Sequence, residues 1–254
     1  MEQWQGQLGA LINAMYYWNK DNFEGLAAIA EDLRGDDFLA PIAKCCDLRQ
    51  KGLRKPALLI LHEFVSASKA WSFQDRRTTA NRLLLIRHNH PSVHQLLPQP
   101  LIDGFICPTL REWRDVEPDS AEALRWIGVV FGDRLALEKA LLIEPRDDIA
   151  RRTLITALLY DVDYATHHLV EGRFIGEERV AETALGAVKT LLDDAFDRAT
   201  YSDLQIWFSR LRSLLNDWTE YCENSTGDFP EWCARRGHHY EWPIIVYYND
   251  RRAG

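Results

Sequence analysis

The chain has 254 residues, of which 46% are hydrophobic and 27% charged, and its formal net charge is −8. Such a length can bury a sizeable core, in one large domain or in two small ones. No apolar run approaches the roughly 18–20 residues that a membrane-spanning helix needs. The acidic balance argues against nucleic acid as the main partner, because phosphate binding needs a basic surface.

The charge is unevenly distributed, because residues 1–118 are balanced and the whole negative excess follows them. This distribution permits a basic protein partner, although a solvated acidic surface that keeps the protein soluble is the simpler explanation. The five cysteines are odd in number and include no Cys-x-x-Cys pair, which favours free thiols over a disulfide framework. The N-terminus lacks a basic leader and a small-residue cleavage site, so we expect a cytoplasmic protein.

Apolar residues at helical spacing predict a series of helices in the first 88 residues. The stripes run through Trp4–Met15, Phe23–Leu33 and Leu39–Cys46. A fourth helix follows Pro56 and is apolar on more than one face, and a fifth covers residues 75–88. Because the connections have only two to five residues, successive helices should be antiparallel neighbours.

Residues 89–118 contain five of the ten prolines, which predicts short turns such as Thr109–Val116 and no long regular helix. The segment is nevertheless too apolar for a free linker, so we expect it to pack against the helices. It is the one candidate boundary within an otherwise single all-α domain covering residues 1–254.

The second half predicts further helices, including a short one at Val162–Val170, a longer one at Glu177–Ala195, and the longest apolar stripe at Leu204–Cys222. Aromatic residues are then concentrated near the C-terminus. Residues 242–248 are β-branched and aromatic, and they are the only segment for which the sequence favours a short β strand.

Residues 121–148 carry a motif with a small residue inside the first helix, a Gly-Asp turn and an Ala-Leu pattern before an acidic-Pro pair. The matching positions are Ala121-Glu122-Ala123, Ile127-Gly128, Phe131, Gly132-Asp133, Ala140-Leu141 and Glu144-Pro145. This unit resembles a tetratricopeptide repeat. Its Glu-Pro pairs are 27 residues apart, whereas the family repeats every 34 or so. The difference is equivalent to about one turn lost from each helix.

The resemblance implies an α-α superhelix of stacked helical hairpins with a concave surface that binds peptides or proteins. It implies no catalytic residue. On such a surface, Arg125, Arg151 and Arg152 could clamp a carboxylate, with ion pairs at the surface as the alternative. The aromatic side chains of Trp232, Trp242 and Tyr247 could contact a partner, or the tail could instead cap the last helix pair.

Two clusters have the residue types of a metal site. His88, His90 and His94 form one of them, although no Cys or carboxylate lies nearby in the sequence to complete the set. Asp163 and His167 are four residues apart and therefore share a helix face, where an ion pair is the alternative. The sequence has no P-loop, dinucleotide fingerprint, GxSxG elbow or HExxH motif, and we expect no cofactor.

These features predict an all-α protein that acts as a protein-protein interaction module of helical-repeat type, without catalysis. One alternative is an immunity or antitoxin-type inhibitor that covers a basic toxin surface, as the acidic second half suggests. The other is a helical metal-dependent enzyme that uses the His88/His90/His94 cluster. Neither nucleic acid nor a membrane is an expected partner.

Overall fold

The computed structural model describes residues 20–224 and 227–242, and these residues form an all-α fold. The predicted N-terminal helix at Trp4–Met15 lies outside the described residues. So does the predicted β segment, except for Trp242, which has no regular secondary structure. Within the described ranges, no helix is both long enough and apolar enough to cross a membrane.

The chain divides into two compact units at Gly132–Asp133. In unit 1, α1 covers residues 20–33. The helices after it are α2 (Ala40–Gln50), α3 (Arg54–Ser68), α4 (Phe73–Asn89), α5 (Gln99–Leu101), a π-helical turn (Ile102–Ile106), α6 (Cys107–Val116) and α7 (Ala121–Phe131). In unit 2 the α-helices are α8 (Arg134–Ile143), α9 (Asp148–Thr166), α10 (Glu178–Asp193), α11 (Ser202–Asn224) and α12 (Phe229–Arg235).

The proline-rich segment is more helical than the sequence predicts, because α5, the π turn and α6 follow one another without a break. Pro100 lies in the first turn of α5, and Pro108 lies in the first turn of α6. A proline in a first turn removes no intrahelical hydrogen bond. The π turn thus continues the helix into α6, where Pro108 lies in the first turn, and the segment packs against α3 and α4 within unit 1 as expected.

An aromatic cluster holds the π turn against α3. The Phe64 ring lies 5.1 Å from Phe105 and 5.3 Å from Trp71, both in edge-to-face geometry. Gly104 lies at the closest approach, where a Cβ atom would be 2.7 Å from Cγ1 of Val65. The absence of a side chain at Gly104 therefore allows the turn to pack against α3.

The predicted helical hairpin at 121–148 has the local signals that the sequence suggested. Gly132 ends α7 with a left-handed φ of 69°, which glycine adopts without strain. Asp133 then caps α8, since its side chain accepts a hydrogen bond from the Ala136 amide. The division between the two units falls at this turn.

Helix α9 is the central helix of unit 2 and packs against α8, α10 and α11. It forms one continuous helix, which replaces the separate Val162–Val170 helix that the sequence predicts. Residues 148–166 contain no glycine or proline, so nothing interrupts the helix before it ends at Thr166. Gly172 ends the short 3-10 helix Leu169–Glu171 that follows. One buried stripe, Ile155, Leu159, Val162 and Thr166, follows the helical repeat and joins the core.

The residues after α11 pack against the end of that helix. A second core cluster joins Trp218 of α11 to Phe229, Trp232 and Cys233 of α12. The Trp218 and Phe229 ring centroids lie 5.1 Å apart in edge-to-face geometry. Much of the aromatic tail within the described residues therefore covers the last long helix.

We expect Gly104→Ala to lower the free energy of unfolding by about 1–3 kcal/mol, because the added methyl group overlaps Val65. Gly186→Ala is the matched control. Gly186 lies inside α10 with open space around it, so alanine there should stabilise the helix by about 0.5–1 kcal/mol. Urea denaturation measures both changes.

The Gly104→Ala defect should be partly relieved in the double variant with Val65→Ala, which removes the overlapping methyl groups. Equal effects of the two glycine substitutions, or no coupling between Gly104 and Val65, would contradict this assignment of the contact.

Candidate functional site

The histidine cluster lies in unit 1, at the end of α4 and in the loop that follows it. Across residues 20–224 and 227–242, no group of three or more His, Cys, Asp or Glu side chains is placed to hold a metal ion. The structure therefore brings neither His88, His90 and His94 nor the Asp163–His167 pair into such a group.

The three candidate arginines contact groups of the chain itself. Arg151 is buried, and it donates to the carbonyl oxygens of Leu191 at 2.8 Å and Pro145 at 2.7 Å. Arg152 bonds the side chain of Asp203. Arg125 lies over the ring of Trp126, 4.7 Å from its centroid. The contacts of Arg151 and Arg152 join helices and loops within unit 2, whereas Arg125 and Trp126 are neighbours on α7.

The aromatic candidates differ in their surroundings. Trp232 is buried and lies 5.8 Å from the ring of Tyr221, whereas Trp242 is half-buried and lines an open cleft. Tyr247 lies outside the described residues. Cys45 and Cys46 are buried, and burial raises the pKa of Cys46 to about 12, whereas Cys222 is exposed.

The exposed face of α9 carries a row of aromatic rings that we call the α9 ridge: Tyr160, Tyr164 and His167. These positions are four and three residues apart, so they share the face opposite the buried stripe. Tyr160 is 62% exposed and Tyr164 is 65% exposed. The Tyr160 ring meets Trp207 of α11 edge-to-face at 4.9 Å, and the Tyr164 ring stacks on His167 at 5.8 Å.

On one side of the ridge lies the apolar cleft, which has a volume of about 370 Å³. Its apolar wall consists of Tyr164, Ala165, Ile175, Val180, Ala181 and Ala184. Val180 of α10 is apolar but 61% exposed. Asp161 and Glu177 lie at the same cleft. A cleft with this composition can accept an apolar side chain near carboxylates.

On the other side lies the polar cleft, with a volume of about 290 Å³. It brings the Asp163–His167 pair, nominated as a metal site, together with Trp242, nominated as a partner contact, and adds Arg210 and Glu241. Arg210 donates to Asp163 at 2.6 Å. The sequence-predicted pair of Asp163 and His167 therefore contributes to a cleft wall, with Asp163 in an ion pair to α11.

A buried carboxylate positions the wall that contains Trp242 and Glu241. Asp217 of α11 is only 5% exposed. It accepts a hydrogen bond from the Tyr240 hydroxyl at 2.5 Å, and Nδ1 of His238 lies 2.8 Å from the same oxygen. Burial, followed by this hydrogen bond to Asp217, raises the pKa of the Tyr240 hydroxyl. The bonded contacts hold residues 238–242 beside α11.

Sequence reasoning missed Tyr160, Tyr164 and Val180. The available signal was the aromatic pair at i and i+4 on the face of α9 opposite its apolar stripe. That signal was hidden because the sequence pattern placed a helix boundary at Val162, in the middle of the ridge.

Comparison of the chain with protein-family models, with curated proteins and with solved structures gives no significant match.

Replacing Tyr240 by Phe should lower the free energy of unfolding by about 1–3 kcal/mol at neutral pH, because Asp217 loses a donor while it stays buried. Tyr221→Phe is the control, since the Tyr221 hydroxyl donates to the exposed carbonyl of Gly227. Denaturant titration should show a small effect for Tyr221→Phe. Similar losses for the two variants would contradict the role given to Asp217.

The same contact gives a pH dependence with a defined sign. Because the pKa of Tyr240 is raised in the folded protein, its contribution is complete below the ordinary tyrosine value of about 10 and declines as the pH rises toward the folded value. The stability difference between wild type and Tyr240→Phe should therefore narrow in alkali. If the difference in free energy of unfolding between wild type and Tyr240→Phe stayed constant up to strongly alkaline pH, the raised pKa of Tyr240 would be contradicted.

Proposed function

We propose that this chain is a protein-binding module of helical-repeat type, in which the α9 ridge and its two clefts hold a segment of a partner protein. The proposal assigns no catalytic step to the chain. We also propose that its helices form a tetratricopeptide-like stack of helical hairpins and that the protein is cytoplasmic.

The exposure of the ridge is the observation that carries the proposal. Tyr160, Tyr164 and Val180 are each more than 60% exposed, and Tyr164 and Val180 line the apolar cleft. Large apolar and aromatic side chains grouped at a concave surface are typical of interaction sites. Tyrosine contributes much contact area with few rotatable bonds, which is why it is enriched among residues that dominate binding energy.

The framework under the ridge is held by packing and by bonded contacts, which favours binding without a large ordering cost. Helix α9 is packed on three neighbours, and its start is fixed by Asp147, which accepts a hydrogen bond from the Ala150 amide at 2.9 Å. The ion pairs Arg134–Asp161 and Arg210–Asp163 connect the ridge helix to α8 and α11. A partner would therefore meet a preformed surface.

The immunity or antitoxin-type inhibitor is a special case of this function, in which the partner is a basic toxin. The acidic second half supports it, since residues 133–254 hold 22 acidic and 15 basic residues. Rescue of growth on co-expression with a toxin encoded nearby would identify this case.

To test the binding function, a photo-reactive benzoylphenylalanine can be placed at Tyr164, and in a matched control at Leu59. Leu59 is 66% exposed on α3 of unit 1. Irradiation in the native host should give a cross-linked partner from position 164 and not from position 59. The partner can then be purified for binding measurements.

With that partner, Tyr164→Ala should weaken binding at least tenfold, or about 1.4 kcal/mol, in isothermal titration calorimetry. Leu59→Ala should leave the dissociation constant unchanged. The proposal fails if Tyr164→Ala binds as tightly as wild type, or if position 164 cross-links to no partner.

A further inference from the structure

We infer that the partner segment held on the α9 ridge is basic: an apolar side chain enters the apolar cleft while lysine or arginine side chains lie against the carboxylates at the clefts. This inference rests on the proposed function and names the chemistry of the partner. It concerns a peptide segment of another protein.

The charges around the ridge are the first argument. Residues 161–182 supply the α9 wall, the following loop and the start of α10, and they contain six carboxylates and two arginines. Two of these carboxylates, Asp161 and Asp163, are already paired with Arg134 and Arg210. Unit 2 as a whole carries a net of seven negative charges, whereas unit 1, with 16 acidic and 15 basic residues, is almost neutral. The negative potential is therefore concentrated on the unit that bears the ridge.

The positions of the carboxylates are the second argument. Glu177 stands at the apolar cleft with 72% of its side chain exposed, and its ion pair with Arg179 is loose at 3.8 Å. Glu241 is exposed at the polar cleft. One acidic group thus lies at each side of Tyr164 and His167. A segment lying across the ridge would meet both carboxylates.

The aromatic groups are the third argument. Trp242 lies 5.6 Å from the ring of Tyr240, and both line the polar cleft with the exposed Glu241. Asp163 lines it too, paired with Arg210. Aromatic faces next to carboxylates attract ammonium and guanidinium groups through the ring quadrupole and the charge together. The apolar cleft, lined by Val180 and Ile175, can accept an aliphatic or aromatic side chain that lies between the basic residues of the partner segment.

The same charges disfavour other occupants. Nucleic acids and anionic membranes would be repelled by the acidic ridge, because both need basic surfaces for binding. A second copy of the chain would offer either the nearly neutral unit 1 or another acidic unit 2. A basic peptide segment is the class that complements both the clefts and the charge.

The test uses the full chain and three short peptide pools. Each pool carries one central Leu, Ile, Phe or Trp, and the flanking residues are Lys and Arg, Gln and Ser, or Asp and Glu. Fluorescence anisotropy should show that the basic pool binds wild type at least tenfold more tightly than the neutral pool. The acidic pool should show no binding, and added salt should weaken the basic pool because it screens charge.

Reversing the two exposed charges gives the decisive comparison. The double variant Glu177→Lys/Glu241→Lys should bind the basic pool at least tenfold more weakly than wild type does, and it should bind the acidic pool. The matched control is Glu63→Lys, which reverses an exposed charge on α3 of unit 1 and should leave both affinities unchanged. Val180→Asp, which places a charge in the apolar cleft, should weaken the binding of the basic and neutral pools.

Several outcomes would overturn the inference: equal binding of neutral and basic pools, no binding by any pool, an unchanged preference after the double reversal, or an equal effect of Glu63→Lys. Sedimentation that shows a dimer dissolved by Val180→Asp would also overturn it, in favour of a second copy. A partner cross-linked at position 164 that lacks a basic segment would leave the binding function standing and overturn only the basic chemistry.

Discussion

Unit 2 depends on the two opposite faces of helix α9. One face buries Ile155, Leu159 and Val162 among its neighbours, and each such side chain contributes about 1.5–3 kcal/mol when it leaves water. Because three helices pack around this stripe, the remaining face of α9 must point to solvent. That face carries Tyr160 and Tyr164, so the burial that stabilises the unit also presents the candidate binding surface.

The polar cleft depends on a second constraint, which is the cost of a buried carboxylate. Asp217 is tolerated on a packed face of α11 because Tyr240 and His238 lie within hydrogen-bonding distance of it. These partners come from the segment that follows α12. Satisfying one buried oxygen therefore places Trp242 and Glu241 opposite Asp163, and stability and the shape of the surface have the same origin.

Unit 1 depends on a close approach between the backbone of the π turn and helix α3. The π turn brings Gly104 against Val65, and the rings of Phe64, Trp71 and Phe105 pack around that contact. An extra residue in the helical turn also places Pro108 where a proline is harmless. The proline-rich segment thus belongs to the core of unit 1, and its irregularity is what allows it to pack.

The sequence by itself determined the all-α class, the helix after Pro56, and the Gly132–Asp133 turn, because helical periodicity, capping side chains and glycine at positive φ act within a few residues. It also nominated Asp163, His167 and Trp242, each from its residue type and local surroundings. Only the tertiary structure placed these three at one cleft and exposed Tyr160 and Tyr164, because α9 and residues 238–242 are brought together by packing and by the buried Asp217. Those contacts join residues far apart in the chain, and no local pattern contains them.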